Sequence, residues 1–357
     1  MYNQRIDSIR NRMEQEQVEA FIINSPHNIF YLSGFKSSFG YIYITKEEAL
    51  FLTDFRYIEP AKEQIADHLD VQETERRPIA ESLRKFVSGQ KRLAFESNHT
   101  TFSDYQLLEK HLADLVELVP AKGWPEEDRK IKDSGEIASI SIAQKIAEQA
   151  LQETLNHIKP GVTEKKISRI LENYLYDYGA EGLAFPIIVV SGSRASLPHG
   201  VPSDKEIAEG ELITIDLGCK YQGYCSDMTR TFGIRTVEED QRKIYNIVLE
   251  AQEKAITGVI AGKRAADLDK ISRDHITEAG YGPYFGHGLG HSLGIEVHEA
   301  PSLSPSSEDL IKENMVITVE PGIYIPGLTG VRIEDLLVVK EFGHINLTAM
   351  TKELIIL

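Results

Sequence analysis

Apolar residues at the start of the chain switch repeatedly between a helical and an extended period. Ile6, Ile9 and Met13 recur at helical spacing and predict an amphipathic helix over residues 6–15, while 18–24 is a continuous apolar, β-prone run. Residues 41–45 and 49–53 read as a hairpin joined through 46–48. Helical patterns at 59–68, 79–87 and 103–112 then alternate with short strands at 93–95 and 115–118. Strands interleaved with helices predict a layered α/β domain over 1–122. Turn formers at Lys122-Gly123-Trp124-Pro125, followed by a charged run to Lys132, mark 123–132 as a linker. Beyond it, Ile137, Ile140, Ala147, Leu151 and Leu155 predict a long helix that Pro160-Gly161 ends. Thr163 can cap a second helix, with Ile167, Ile170, Tyr174 and Tyr178 on one face and Gly179 as its stop. Extended runs follow at 186–191 and 212–232, then helices at 239–260 and 266–279, then mostly strand and loop. Paired helices between groups of strands make 133–357 an α+β domain.

Composition narrows the function. With 357 residues, 41% apolar, the chain can bury a sizeable core, so neither a disulfide nor a metal is needed merely to fold. A formal net charge of −16 argues against binding nucleic acid or an anionic membrane surface. No apolar run approaches the roughly 20 residues of a spanning helix. The polar start lacks the apolar core of a secretory leader, so the cytoplasm is the expected location. Cys219 and Cys225 are spaced wrongly for a zinc ribbon and are too soft for a hard-ion site; they read as small buried residues.

Three clusters carry chemistry. If Tyr221-Gln222 forms a two-residue loop, Asp216 faces Asp227 across a hairpin, with Cβ atoms about 4.5–5.5 Å apart. Such a pair is solvated, shares a proton or holds a cation. Glu320 and Glu334 are equidistant from Gly327 in a second apolar hairpin, and Arg332, on the face of Glu334, could hold a carboxylate bidentately. The third cluster, 287–299, contains His287, His291 and His298 interleaved with Gly288, Gly290 and Gly294. These glycines argue against a zinc-binding helix and for a strand or loop of close backbone approach. His199 stands alone in a turn, where by itself it reads as a structural residue.

Together, the run His-Gly-Leu-Gly-His-Ser-Leu-Gly-Ile-Glu-Val-His-Glu at 287–299 and the order Asp216, Asp227, His291, Glu320, Glu334 resemble the proline dipeptidase and aminopeptidase P branch of the pita-bread metallopeptidases. The likeness is strong over 134–357 and looser before it, through Asn28 to Phe35 and Thr53 to Tyr57. It implies two ααββ halves related by a pseudo-twofold and two divalent ions per subunit, manganese foremost, with cobalt or zinc as alternatives. Asp216 would chelate one ion, Asp227 and Glu334 would bridge both, and His291 and Glu320 would bind the other. His199 and His298 would contact substrate and the tetrahedral intermediate, His287 and Arg332 would line or brace the pocket, and Phe185 would form its apolar wall. A hydroxide bridging the ions would attack the Xaa-Pro carbonyl, with Glu320 accepting the proton. The substrates implied are Xaa-Pro dipeptides or peptides with proline second, and the assembly a homodimer. The short chain favours a dipeptidase over an aminopeptidase P. A non-enzymatic pita-bread binding protein is the remote alternative, against which the complete ligand set argues.

Overall fold

A computed structural model describes residues 2–65, 67–74 and 79–357. The chain divides into two compact units, Met1–Arg129 and Lys130–Leu357. Among the described residues, no helix is long and apolar enough to cross a membrane.

The first unit runs α1 (Tyr2–Gln15), β1 (Ala20–Ile23), α2 (Pro26–Ser33), β2 (Tyr41–Thr45), β3 (Ala49–Thr53), α3 (Ile58–Ile65), β4 (Asp70–Glu73), α4 (Ile79–Val87), β5 (Arg92–Glu96), α5 (Phe102–Leu112), β6 (Glu117–Ala121) and α6 (Trp124–Arg129). Its sheet has the order β4-β3-β2-β1-β5-β6. Parallel β1/β5 and β5/β6 pairs are joined through helices, and the β2/β3 hairpin is antiparallel. All four residues of β1 are buried because helices cover both faces: Ala20 and Ile22 lie in the cluster with Leu83 of α4 and Leu112 of α5. Three elements depart from the sequence expectation. The strand β4, parallel to β3, was not expected. Ser25 accepts from the Asn28 N–H ahead of Pro26 and starts the short helix α2. The segment expected as a linker is helical over Trp124–Arg129, with buried Trp124 against the Phe21 ring, because Gly123 turns the chain at φ 70° and acids fill the first helical turn.

The second unit runs α7 (Ser134–Leu155), α8 (Glu164–Asp177), β7 (Gly182–Leu183), β8 (Ile188–Ser191), β9 (Leu212–Leu217), β10 (Cys219–Tyr221), β11 (Tyr224–Cys225), β12 (Met228–Gly233), α9 (Glu239–Thr257), α10 (Ala265–Glu278), β13 (Gly290–Ser292), β14 (Glu299–Leu303), β15 (Val316–Val319), β16 (Gly322–Ile325), β17 (Thr329–Arg332), β18 (Asp335–Lys340) and β19 (Gly343–Asn346). A helix pair followed by strands occurs twice. Asp133 opens α7 through a capping box with Glu136, and Thr163 caps α8. The pair α7/α8 buries Ala147, Leu151, Ile167 and Leu171 against Ile213, Ile215 and Leu217 of β9. The pair α9/α10 does the same with Ala255 and Leu268 against Ile317 and Val319 of β15. Both cysteines are fully buried, and burial pushes the thiols up to about 11 for Cys219 and about 12 for Cys225.

Arg230 on β12 fastens the last strands to the first half. Its guanidinium, 1% exposed, donates to Asp335 Oδ1 (2.8 Å) and to the carbonyls of Glu334 (2.6 Å), Met350 (2.6 Å) and Thr351 (3.0 Å). Arg230→Met removes the guanidinium from buried Asp335 and leaves it Lys352, Asn346 and Gln252 as partners. We expect it to cost about 3–5 kcal/mol in a urea unfolding titration.

Candidate active site

The second unit encloses a cavity of about 560 Å³ whose wall includes Phe185, His199, Asp216, Asp227, His287, His291, His298, Glu320, Arg332 and Glu334, so every residue singled out from the sequence reaches one space. Pro186, Ile187, Ile188, Val201, Pro202 and Val297 add an apolar side.

The first hairpin corrects the expected register. Its turn is Gln222-Gly223, at φ 47° and 81°, with Tyr221 paired to Tyr224. A two-residue turn with both central φ positive suits glycine at its second position, whereas the expected loop would have put Tyr221 first and Gln222 second, with no glycine in the turn. The shift places Asp216 opposite Thr229 rather than Asp227. Asp227 instead falls in the break between β11 and β12. Opposite lies Gly218, where an added Cβ would stand 2.1 Å from the Ser226 carbonyl and 2.8 Å from the Phe185 ring. In the second hairpin, β15/β18 and β16/β17 share one register, from Val319↔Asp335 to Gly322↔Arg332, so Glu320 falls across from Glu334 as the spacing predicted. Neither bonds across that pair: the Glu320 N–H donates to the Leu289 carbonyl and the Glu334 N–H to that of Thr229.

The histidine run is strand and loop. An added Cβ on Gly290 would meet the Thr318 carbonyl at 2.2 Å, so only glycine lets β13 approach β15 this closely. His291 Nδ1–H donates to the Ser292 carbonyl (3.1 Å), leaving Nε2 toward Glu320 Oε1 (3.3 Å) and Asp227 Oδ2 (3.5 Å). His298 stacks edge-on to His291 with ring centroids 4.5 Å apart. His287 is held by its backbone: Asp269 of α10 accepts from the Leu289 N–H (3.0 Å) and from Arg273, which donates to the His287 carbonyl (2.7 Å). His199 lies on the loop after β8. Fully buried Glu164 ties the loop's two ends, accepting from the Ser191 N–H (2.8 Å), Arg194 Nε (3.0 Å) and the Ser203 N–H (3.0 Å).

Electrostatically the cavity is overloaded with negative charge. Burial first, then repulsion from neighbouring acids, pushes Asp227 and Glu334 well above the usual carboxylate range. Asp216 is raised by burial against the pull of Arg332. Burial acts upward on Glu320 too, but the hydrogen bond and charge of His291 hold it down at about 2; burial alone would lower His291, and Glu320 raises it. Arg332 meets Asp216 through a single Nη2···Oδ2 contact of 2.6 Å rather than the expected bidentate fork, because its other nitrogens serve Thr229 Oγ1 (3.0 Å), Tyr324 Oη (2.9 Å) and the Pro198 carbonyl (3.3 Å). Asp216 Oδ1 is buried without a hydrogen-bond partner. Ligand atoms of Asp227, His291 and Glu334 all lie within 4.8 Å of one another. Four carboxylates, one imidazole nitrogen and an orphaned buried oxygen fit divalent cations of the oxygen-preferring kind.

Two participants were not read from the sequence. Thr229 Oγ1 donates to Glu334 Oε2 (2.7 Å) while accepting from Arg332. Tyr324 accepts from Arg332 and donates to His287 Nε2 (2.9 Å), whose Nδ1–H donates to the Gly288 carbonyl (2.8 Å). Burial pushes the Tyr324 phenol up to about 12 and lowers His287, so both stay neutral. A signal existed: Tyr324 alternates in period two with Gly322 and Glu320, and Thr229 with Asp227.

The model of metallopeptidase family M24 matches residues 138–341, and that of the Creatinase/Prolidase N-terminal domain matches 5–131. The chain belongs to metallopeptidase family M24. It is therefore a peptidase whose family implies divalent metal ions, and its second unit is the pita-bread fold. A curated Xaa-Pro dipeptidase of Pyrococcus horikoshii is 40% identical over 99% of both chains. Among solved structures, an Xaa-Pro dipeptidase from Bacillus anthracis superposes with TM-score 0.97 at 39% identity, covering 100% of both chains. An X-Pro aminopeptidase from Thermotoga maritima reaches 0.91 at 37% identity, covering 99% of both. In this M24 peptidase, Glu334→Gln relieves repulsion while its amide oxygen still accepts from Thr229. We expect the metal-free variant to melt no lower than metal-free wild type in calorimetry. Added Mn²⁺ should raise the wild-type melting temperature and leave that of the variant nearly unchanged.

Proposed function

We propose that this M24 peptidase hydrolyses the Xaa-Pro peptide bond, acting as an Xaa-Pro dipeptidase. The observation that carries the reading is the convergence of Asp216, Asp227, His291, Glu320 and Glu334 with His199 and His298 in one cavity that has an apolar side. The Pyrococcus horikoshii and Bacillus anthracis relatives, named Xaa-Pro dipeptidases, support it. The Thermotoga maritima neighbour, named an X-Pro aminopeptidase and matching over 99% of both chains, favours a second reading: removal of Xaa from longer peptides with proline second.

In this reading Asp216 would hold one ion, His291 and Glu320 would hold the other, and Asp227 and Glu334 would serve both; manganese is proposed, with cobalt or zinc as alternatives. The ions, when bound, supply Lewis acidity to the scissile carbonyl and acidify water near neutral pH. Glu320 takes up the proton released by the attacking water and delivers it to the leaving prolyl nitrogen. His298 donates a hydrogen bond to the oxygen on which negative charge develops, and His199 contacts the substrate beside it. Arg332 holds Asp216 in place and His287 lines the pocket. Phe185, wedged against Gly218, offers an apolar surface to the substrate.

The test strips the protein with chelator, restores Mn²⁺, Co²⁺ or Zn²⁺ singly, and assays an Xaa-Pro dipeptide beside an Xaa-Pro-Xaa tripeptide. Metal-dependent cleavage of the dipeptide alone is expected. Preference for the tripeptide would establish the second reading, and no cleavage of either by folded protein with any metal would sink both.

A further inference from the structure

Between His291 and His298 the chain makes a six-residue excursion with little regular structure. In the β13/β14 ladder His291 pairs with Ser302, but the next residue, Ser292, pairs with Glu299, so the register shifts just where the excursion leaves and returns. Its interior contains a carboxylate. Glu299 Oε1 accepts from the Ile295 N–H (3.0 Å) and the Glu296 N–H (3.2 Å), while Oε2 meets Lys132 Nζ at 3.0 Å. The ammonium also donates to Ser292 Oγ (3.3 Å), and Ser292 Oγ donates to the Val316 carbonyl of β15 (2.8 Å). The two charged side chains are 2% and 6% exposed. The fit is close: a Cβ added to Gly294 would stand 2.8 Å from Glu299 Oε2 and 3.0 Å from Lys132 Cε, so glycine is what lets the loop close over the pair.

Lys132 thus binds residues adjacent to both histidines, Ser292 beside His291 and Glu299 beside His298. Among the described residues His298 forms no hydrogen bond of its own. The edge-on contact with His291 and the course of its backbone set its place. A buried ion pair is weak evidence for added stability, because desolvation offsets most of the attraction. Its geometry, however, is directional, and a carboxylate that accepts two successive N–H groups fixes the backbone that bears them.

We propose that the buried Lys132–Glu299 pair is a positioning device that holds His298 over the reacting carbonyl; Glu299 and Lys132 touch neither substrate nor metal and act through the loop. The proposal rests on the role given above to His298. In Glu299→Gln the amide group cannot accept from both the loop N–H groups and the ammonium, so the loop relaxes. A displacement of about 1 Å at a catalytic group costs on the order of a hundredfold in rate.

The test has two arms. In the metal-loaded wild-type protein, hydrogen exchange is read at the Ile295 and Glu296 amides, which are expected to be protected. Exchange at the rate of open loop amides would overturn the clamp whatever the variants do. In the second arm Glu299→Gln, Lys132→Met, His298→Ala and the double variant His298→Ala/Glu299→Gln are assayed on an Xaa-Pro dipeptide. The single clamp variants are expected to lose tenfold to a hundredfold in kcat with little change in KM and with metal content intact, and the double variant to be no slower than His298→Ala alone. Wild-type kcat in Glu299→Gln, loss of metal, or multiplying losses in the double variant would overturn the proposal. If Glu299→Gln fails to fold, Lys132→Met, which leaves the loop carboxylate in place, decides the kinetic arm. His298→Ala cleaving as fast as wild type would instead sink the role of His298, a failure that substrate-free amide exchange tells apart from failure of the clamp.

Discussion

Four carboxylates crowded into an apolar cavity are the constraint around which the second unit is organised. Asp216, Asp227, Glu320 and Glu334 converge on one wall of a protein that already carries a formal charge of −16. Arg332 and His291 answer part of that charge, through Asp216 and Glu320. Asp227 and Glu334 are left to be raised by burial and by their neighbours. An arrangement this unfavourable persists only when the rest of the fold over-determines it or a cation neutralises it. The first condition is visible in the chain, where apolar strands pack the acids in from outside, and the family to which it belongs implies the second.

Around the acids lies a shell of buried charges that act on backbone. Glu164 gathers the loop bearing His199, Asp269 with Arg273 fixes the segment bearing His287, and Arg230 grips the Glu334 carbonyl. Each charged group satisfies carbonyls or N–H groups that irregular backbone would otherwise leave unpaired. Irregular backbone is what the site requires, because a continuous ladder would hydrogen-bond Glu320 to Glu334 across the hairpin and leave no opening between them. The Gln222-Gly223 turn and the breaks at Gly218 and Asp227 serve the same end in the first half.

Much of this architecture was legible in the chain. The helical periods of α7 and α8, the caps at Thr163 and Gly179 and the β2/β3 hairpin follow from local patterning, where neighbouring residues alone settle the outcome. The facing of Glu320 and Glu334 was legible because the strand pairs on either side of the break keep one register centred on Gly327. The facing of Asp216 and Asp227 was misread because register depends on which two residues make the turn, and a one-residue slip rearranges every pair. Tyr324 and Thr229 share a strand face with Glu320 and Asp227, but like Lys132 they were passed over because the partners that give them their roles are distant in the chain. Trp124 and its helix were misread because turn-forming residues also begin helices.

The groups that surround the acidic pocket come from both halves: Asp216 and Asp227 from the strands and breaks that follow α8, and His291, Glu320 and Glu334 from the strands and breaks that follow α10. Between Asp227 and His291 lies the whole α9/α10 hairpin. A cation held by both sides is then a topological cross-link, closing a long loop as a disulfide would, in a chain whose two cysteines are buried and free. Such a closure restricts the unfolded ensemble more as the loop it spans lengthens. Unlike a disulfide it is reversible without redox chemistry, so the supply of divalent ions would act on the chain's conformational entropy as well as on its chemistry.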